Sequence, residues 1–187
     1  VQTCALPIYH FDWTNGRETF VDLWTQLPGS HNVENAVAAI TVARTLGLDE
    51  SQIRKGLETY TGVKRRFDYQ IKSDRLVYID DYAHHPAELR ACISSSKELY
   101  PGKSVTGIFQ PHLFTRTRDF AKGFAESLSL LDRLILLDIY PARELPTPGV
   151  TSEMILEMVT CPVKVLLPKD QVLDYLRQVP LEVLLTL

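Results

Sequence analysis

The side chains best suited to chemistry lie in polar runs that each follow an apolar stretch: Asp80-Asp81-Tyr82-Ala83-His84-His85-Pro86, Gln110-Pro111-His112-Leu113-Phe114-Thr115-Arg116-Thr117-Arg118, and Tyr140-Pro141-Ala142-Arg143-Glu144. A carboxylate at a strand end can accept paired hydrogen bonds from the two hydroxyls of a ribose, so Asp80 and Asp81 are candidates for nucleotide binding. A solvated turn or a helix cap is the competing explanation. His84 and His85 precede Pro86, which suits a first helical turn. Adjacent histidines point apart, and a helical metal pair is more naturally spaced i, i+4, so no metal site is expected there. Imidazole titrates near neutrality, which favours substrate binding or proton handling over histidines merely satisfied by loop backbone. His112, Arg116 and Arg118 form a second cationic patch, because a planar guanidinium suits bidentate binding of carboxylate or phosphate. Cations at the start of a helix oppose its dipole, so this patch calls for an anionic partner. An exposed, charged helix start is the plainer alternative.

Two further runs carry less specific signals. In Gly62-Val63-Lys64-Arg65-Arg66-Phe67 the arginines stand where the pattern of the chain changes, and a cation there could reach a phosphate on a neighbouring domain. A basic linker would look the same. Pro28-Gly29-Ser30-His31-Asn32-Val33-Glu34-Asn35-Ala36 opens a helix with amide side chains, which offer the donor and acceptor that adenine recognition requires. Asn32 could equally be an N-cap.

These residues need a scaffold that brings strand ends together. Tyr9, Phe11 and Trp13 alternate with polar residues, Asn15-Gly16 follows, and Thr19, Val21 and Leu23 alternate again, which predicts a β-hairpin. A helix is predicted over 32–46, ending at Gly47, and another from Asp49, with Gln52 completing a capping signature. A domain boundary is expected at 65/66. Beyond it, apolar runs at 76–79, 105–109, 134–139, 163–167 and 183–187 alternate with helical patterns such as 87–100 and 120–131. That rhythm predicts an α/β, Rossmann-like domain whose mostly parallel sheet is covered on both faces. In such sheets ligands bind beyond the carboxyl ends of the strands, where the polar runs fall.

Composition narrows the function classes. Twenty Lys and Arg against 23 Asp and Glu give a net charge of -3, so nothing in the balance favours nucleic acid. The longest apolar run is far short of the roughly 20 residues a membrane-spanning helix needs. Cys4, Cys92 and Cys161 fit neither a disulfide framework nor a zinc pattern, so a reducing cytoplasm is expected. Back-translated, residues 1–8 resemble the end of a sequencing adapter, and an assembly scar is expected there, with the gene extending upstream.

Taken in order, the motifs resemble the Mur ligase family over about 9–187. Gly29-Ser30-His31-Asn32 with Asn35 is similar to the adenine-side motif that closes the central ATPase domain, and Gly62–Phe67 to its junction with the C-terminal domain. Asp80–Pro86 is the most specific match. The resemblance implies the tail of a central ATPase domain over 9–65, hairpin plus helices, and a Rossmann-like C-terminal domain over 66–187, truncated at its end. It implies ATP contacts from His31, Asn32, Asn35, Arg66, Asp80, Asp81 and Tyr82. Substrate contacts would come from His84, His85, His112, Arg116 and Arg118, with His84 the candidate for catalysis.

Within the family, Gln110–Arg118 favours the branch that joins L-alanine to UDP-N-acetylmuramate, using ATP and Mg2+, over the branch that recycles a whole tripeptide. Leu113, where the family often has arginine, and Pro141-Ala142-Arg143-Glu144, in place of Ala-Gly-Glu, depart from the pattern. No Gly-x-x-Gly-Lys-Thr phosphate loop is present. The phosphate loop and most metal ligands are therefore expected in a missing upstream part, and this chain alone is expected to be inactive. A non-catalytic nucleotide-binding domain is the alternative from another class.

Overall fold

The computed structural model describes residues 9–187; Cys4 and the expected scar at 1–8 lie outside them. The chain divides into two units between Val63 and Lys64.

In the first unit, strands β1 (Tyr9–Thr14) and β2 (Thr19–Thr25) pair antiparallel. Asn15 closes the hairpin, its side-chain oxygen accepting the N–H groups of Arg17 at 2.9 Å and Glu18 at 3.1 Å. The simple alternation expected of β2 fails. Phe11 pairs with Leu23 but Trp13 pairs with Phe20, so β2 carries one extra residue. Asp22 absorbs this bulge at φ 51°, and its N–H donates to the Asp12 carboxylate at 2.8 Å. Phe20 and Leu23 consequently face inward, and Val21 is 58% exposed.

Helix α1 (Ser30–Thr45) follows, then α2 (Glu50–Thr59), which Asp49 and Gln52 open with a reciprocal capping box. Trp13, Phe20, Leu23, Ile40 and Ile53 form this unit's core.

The second unit runs β3 (Asp68–Lys72), β4 (Val77–Asp80), α3 (Pro86–Leu99), β5 (Val105–Phe109), α4 (Phe114–Leu128), β6 (Arg133–Leu136), α5 (Ser152–Met158), β7 (Val163–Leu166), α6 (Val172–Leu176) and β8 (Val183–Thr186). The six strands lie in the order β3-β4-β8-β5-β6-β7, and only the β3–β4 pair is antiparallel. This is the expected α/β fold with a mostly parallel sheet. Successive residues of β6 explain its unbroken apolar run: Leu134 and Leu136 join one core, and Ile135 joins the core on the opposite face.

Several boundaries differ from the sequence pattern. Helix α4 starts at Phe114 rather than 120, because the polar turn Thr115–Arg118 masks its periodicity, while the Thr117 hydroxyl ties back to the Leu113 carbonyl at 2.8 Å. Strand β6 ends at Leu136 rather than 139. The edge strand β3 and the short helices α5 and α6 were not anticipated, being too short or too polar for a periodic signal. Among the described residues no helix is long and apolar enough to cross a membrane.

Candidate functional site

Because β4, β5, β6 and β8 are parallel, their carboxyl ends share one edge of the sheet, and the polar runs begin there. At the end of β4, Asp80 accepts a hydrogen bond from the Thr186 hydroxyl of β8 at 2.6 Å and lies 3.3 Å from Arg65 Nε. Asp81 turns inward instead. Only 9% exposed, it accepts the Phe67 N–H at 2.7 Å and that of Ala83. Burial pushes its carboxyl pKa up, against those two bonds and the Arg66 charge.

The bond to Phe67 holds a strained turn. Arg65 and Phe67 both sit in the left-handed region, at φ 60° and 49°, a conformation that costs non-glycine residues about 1 kcal/mol or more each. The Tyr82 N–H also clamps the turn, donating to the Arg65 carbonyl at 2.8 Å. Asp81 is thus a brace for the Arg65–Phe67 turn. The Arg65 guanidinium stacks over the Tyr82 ring at 4.7 Å.

His84 and His85 part company, as adjacent residues must. His85 caps α3, its Nδ1 accepting the Ala87 N–H at 3.3 Å, and its ring meets Phe120 edge-on. His84 Nδ1 lies 2.8 Å from the Tyr82 carbonyl, which can only accept, so Nδ1 carries a proton and, in the neutral ring, Nε2 is the nitrogen with the lone pair. Glu88, in the first turn of α3, gathers these groups. It accepts the N–H groups of His84 at 3.0 Å and His85 at 3.2 Å, and lies 3.3 Å from Arg66 Nη1. Burial raises its pKa, but the His84 N–H and the Arg66 guanidinium outweigh that and hold the carboxyl below its usual range.

At the end of β5, the segment from Pro111 to Leu113 is zipped to Tyr140. The Tyr140 N–H donates to the Pro111 carbonyl at 2.8 Å, the Leu113 N–H donates to the Tyr140 carbonyl at 3.0 Å, and the His112 and Tyr140 rings stack. Burial lowers the His112 pKa, and the charges of Arg116 and His84 lower it further while Glu144 opposes them. Arg116, His84 and Glu144 are therefore all within electrostatic reach of His112 at this edge. Leu113, the cap of α4, has φ 72° and supplies no capping side chain. Glu144 does that work: its carboxylate accepts the Thr115 hydroxyl and, at 2.9 Å, the Thr115 N–H, and these bonds lower its pKa. Glu144 thus supplies an anion at this helix start. Arg118 is exposed and pairs with Asp119 at 2.8 Å.

Sequence reasoning missed Glu88, Glu144 and Thr186. Glu88 could have been found, since a glutamate three residues after the N-cap is a capping signature. Glu144 stood in the third polar run without an assigned role, and nothing local marked Thr186.

In the first unit, Gly29 rather than Asn32 is the N-cap of α1. Asn32 lies in the first turn, donating to the Pro28 carbonyl at 2.6 Å, and Asn35 donates to Asn32 at 3.4 Å. Asn32 and Asn35 line a pocket of about 510 Å³ with Leu27, Ile40, Ile53 and Tyr60. His31 is half-buried in the same turn. Among the described residues no group of three or more His, Cys, Asp and Glu side chains could hold a metal ion.

The model of the Mur ligase glutamate ligase domain matches residues 65–180. A UDP-N-acetylmuramate–L-alanine ligase of Parabacteroides distasonis is 54% identical over 94% of this chain and 38% of its own length. One of Flavobacterium johnsoniae is 49% identical over 96% of this chain and 40% of its own. The chain thus spans about two fifths of the length of the curated relatives it matches. Among solved structures, the UDP-N-acetylmuramate-alanine ligase of Thermotoga maritima superposes with a TM-score of 0.73 at 27% identity, covering 93% of this chain and 37% of that one. A murein peptide ligase of Psychrobacter arcticus gives 0.63 at 19% identity over 92% of this chain and 36% of its own, a likeness of fold alone.

Proposed function

The chain belongs to the Mur ligase family, and from that premise we propose that it is part of a cytoplasmic ATP-dependent enzyme joining L-alanine to UDP-N-acetylmuramate in peptidoglycan precursor synthesis. The observation that carries this reading is that the runs bearing His84, His112 and Arg116 leave the carboxyl ends of parallel strands β4 and β5 at one sheet edge. The γ-phosphoryl group of ATP would pass to the lactyl carboxylate, releasing ADP and forming an acyl phosphate. The alanine amine would then attack the acyl carbon, expelling inorganic phosphate and losing a proton as the amide bond forms. In this reading Arg116 and His112 would bind the anionic groups, and the neutral His84 ring would take a proton at Nε2 from the attacking amine. Fixed cations suit this chemistry because phosphoryl transfer depends mainly on positioning and charge stabilisation.

On the nucleotide side, the pocket beside Asn32 and Asn35 is large enough for a purine, and its amides can pair with one. His31 would border it. Within the second unit taken by itself, Asp80 and Tyr82 would suit a ribose, and Arg66 phosphates. The described residues offer no carboxylate cluster for Mg2+, so the metal would be held by the part of the enzyme that this chain does not contain.

The test joins this chain to its upstream coding sequence and measures phosphate release. Release should require ATP, UDP-N-acetylmuramate and L-alanine together, and residues 1–187 alone should show none. Preference for a tripeptide over L-alanine would assign the recycling branch instead. Nucleotide binding without any turnover would leave a non-catalytic domain.

A further inference from the structure

Glu88 makes more contacts than a helix cap requires. In a capping box the glutamate needs only the N-cap N–H, here that of His85. The same Oε2 also accepts the His84 N–H at 3.0 Å and lies 3.6 Å from His84 Nδ1, while Oε1 faces Arg66 Nη1 at 3.3 Å. Both partners are otherwise set by backbone: Arg66 sits between two left-handed residues, and His84 is tied through Nδ1 to the Tyr82 carbonyl. A single carboxylate therefore joins two segments, the Arg65–Phe67 turn and the start of α3. Asp81 braces the first of these segments through the Phe67 N–H.

We propose that Glu88 is a positioning residue that holds Arg66 and His84 in a fixed mutual geometry, so that the phosphate-facing cation and the acceptor-facing imidazole are set by the same group. The roles of those two partners rest on the function proposed above; the mechanical coupling does not. Neutralising Glu88 should loosen both ends at once. Removing Arg66 should be felt at His84, although the two side chains need not touch.

In the complete ligase, Glu88→Gln retains one carbonyl acceptor for the His84 and His85 N–H groups and turns an uncharged NH2 toward Arg66, which removes both the charge and the acceptor there. Its unfolding midpoint should stay within about 2 °C of the parent. The ATP KM should rise about threefold, as suits a half-exposed ion pair, and kcat should fall about tenfold. Arg66→Ala should raise the ATP KM similarly, and combining the two should add little more. Parental kcat and KM in Glu88→Gln, or fully multiplicative losses in the double variant, would overturn the proposal.

A second measurement works on the 187-residue chain and needs no turnover. Arg66→Ala should speed amide hydrogen exchange at His84 about threefold, with exchange in the interior of β5 unchanged. Unaltered exchange at His84 would sink the coupling even in an active ligase, whereas faster exchange in a protein without ligase activity would retain it and reject only the proposed reaction.

Discussion

Replacing Gly123 by alanine should force α3 and α4 apart where the two histidines enter their helix. A Cβ at position 123 would lie 2.8 Å from Pro86 Cγ and 3.0 Å from Pro86 Cβ. Carbon atoms rest about 3.5–4.0 Å apart, so the helices must separate by about 0.7 Å or more. The Pro86 ring cannot swing aside, and its carbonyl is held by the Ser127 hydroxyl at 2.9 Å. Alanine gains about 1 kcal/mol of helix propensity over glycine, while overpacking costs about 1–3 kcal/mol. The expected net loss is about 1 kcal/mol.

Pro86→Gly removes both ring carbons that cause the clash, and in that background Gly123→Ala should become stabilising, by up to about 1 kcal/mol. Tryptophan fluorescence would be the wrong probe, since Trp13 and Trp24 both belong to the first unit. Urea-dependent hydrogen exchange at amides of α4 and β5 reports the second unit directly. A coupling below about 0.5 kcal/mol between positions 86 and 123 would refute the claim that this contact fixes the helix pair.

Arg116→Ala in the complete enzyme should raise the acceptor KM about tenfold to a hundredfold if its charged hydrogen bond is direct, and unchanged constants for alanine and nucleotide sugar would exclude that role. Acidification should weaken the second unit through His112. Its folded pKa lies below the unfolded value, so the stability it contributes is present above about pH 6.5 and is lost as pH falls from there through the lowered folded pKa. His112→Gln should flatten that part of the curve, and an identical slope would reject the assignment. Asp49→Ala removes one half of the α2 capping box and should destabilise the first unit by about 1 kcal/mol, read by tryptophan fluorescence in urea.

The sequence alone was sufficient where the physics is local. Asn15-Gly16 marked the hairpin, Asp49 and Gln52 the start of α2, Pro86 the start of α3, and unbroken apolar runs the buried parallel strands. Each signal acts within a few residues, so periodicity and capping chemistry reveal it without knowledge of the fold. The motif order also carried the family. What tertiary structure decided was which groups meet. Strand β8 inserts between β4 and β5, bringing Thr186 to Asp80 across more than a hundred residues. Asp81 faces inward to brace Phe67, although nothing at 80–81 distinguishes one aspartate from the other. Glu144 reaches the start of α4 from the loop after β6 and supplies the anion that the helix dipole demands. Such pairings depend on strand order and on the direction each side chain takes at a sheet edge, and both emerge only once the whole sheet has closed its core.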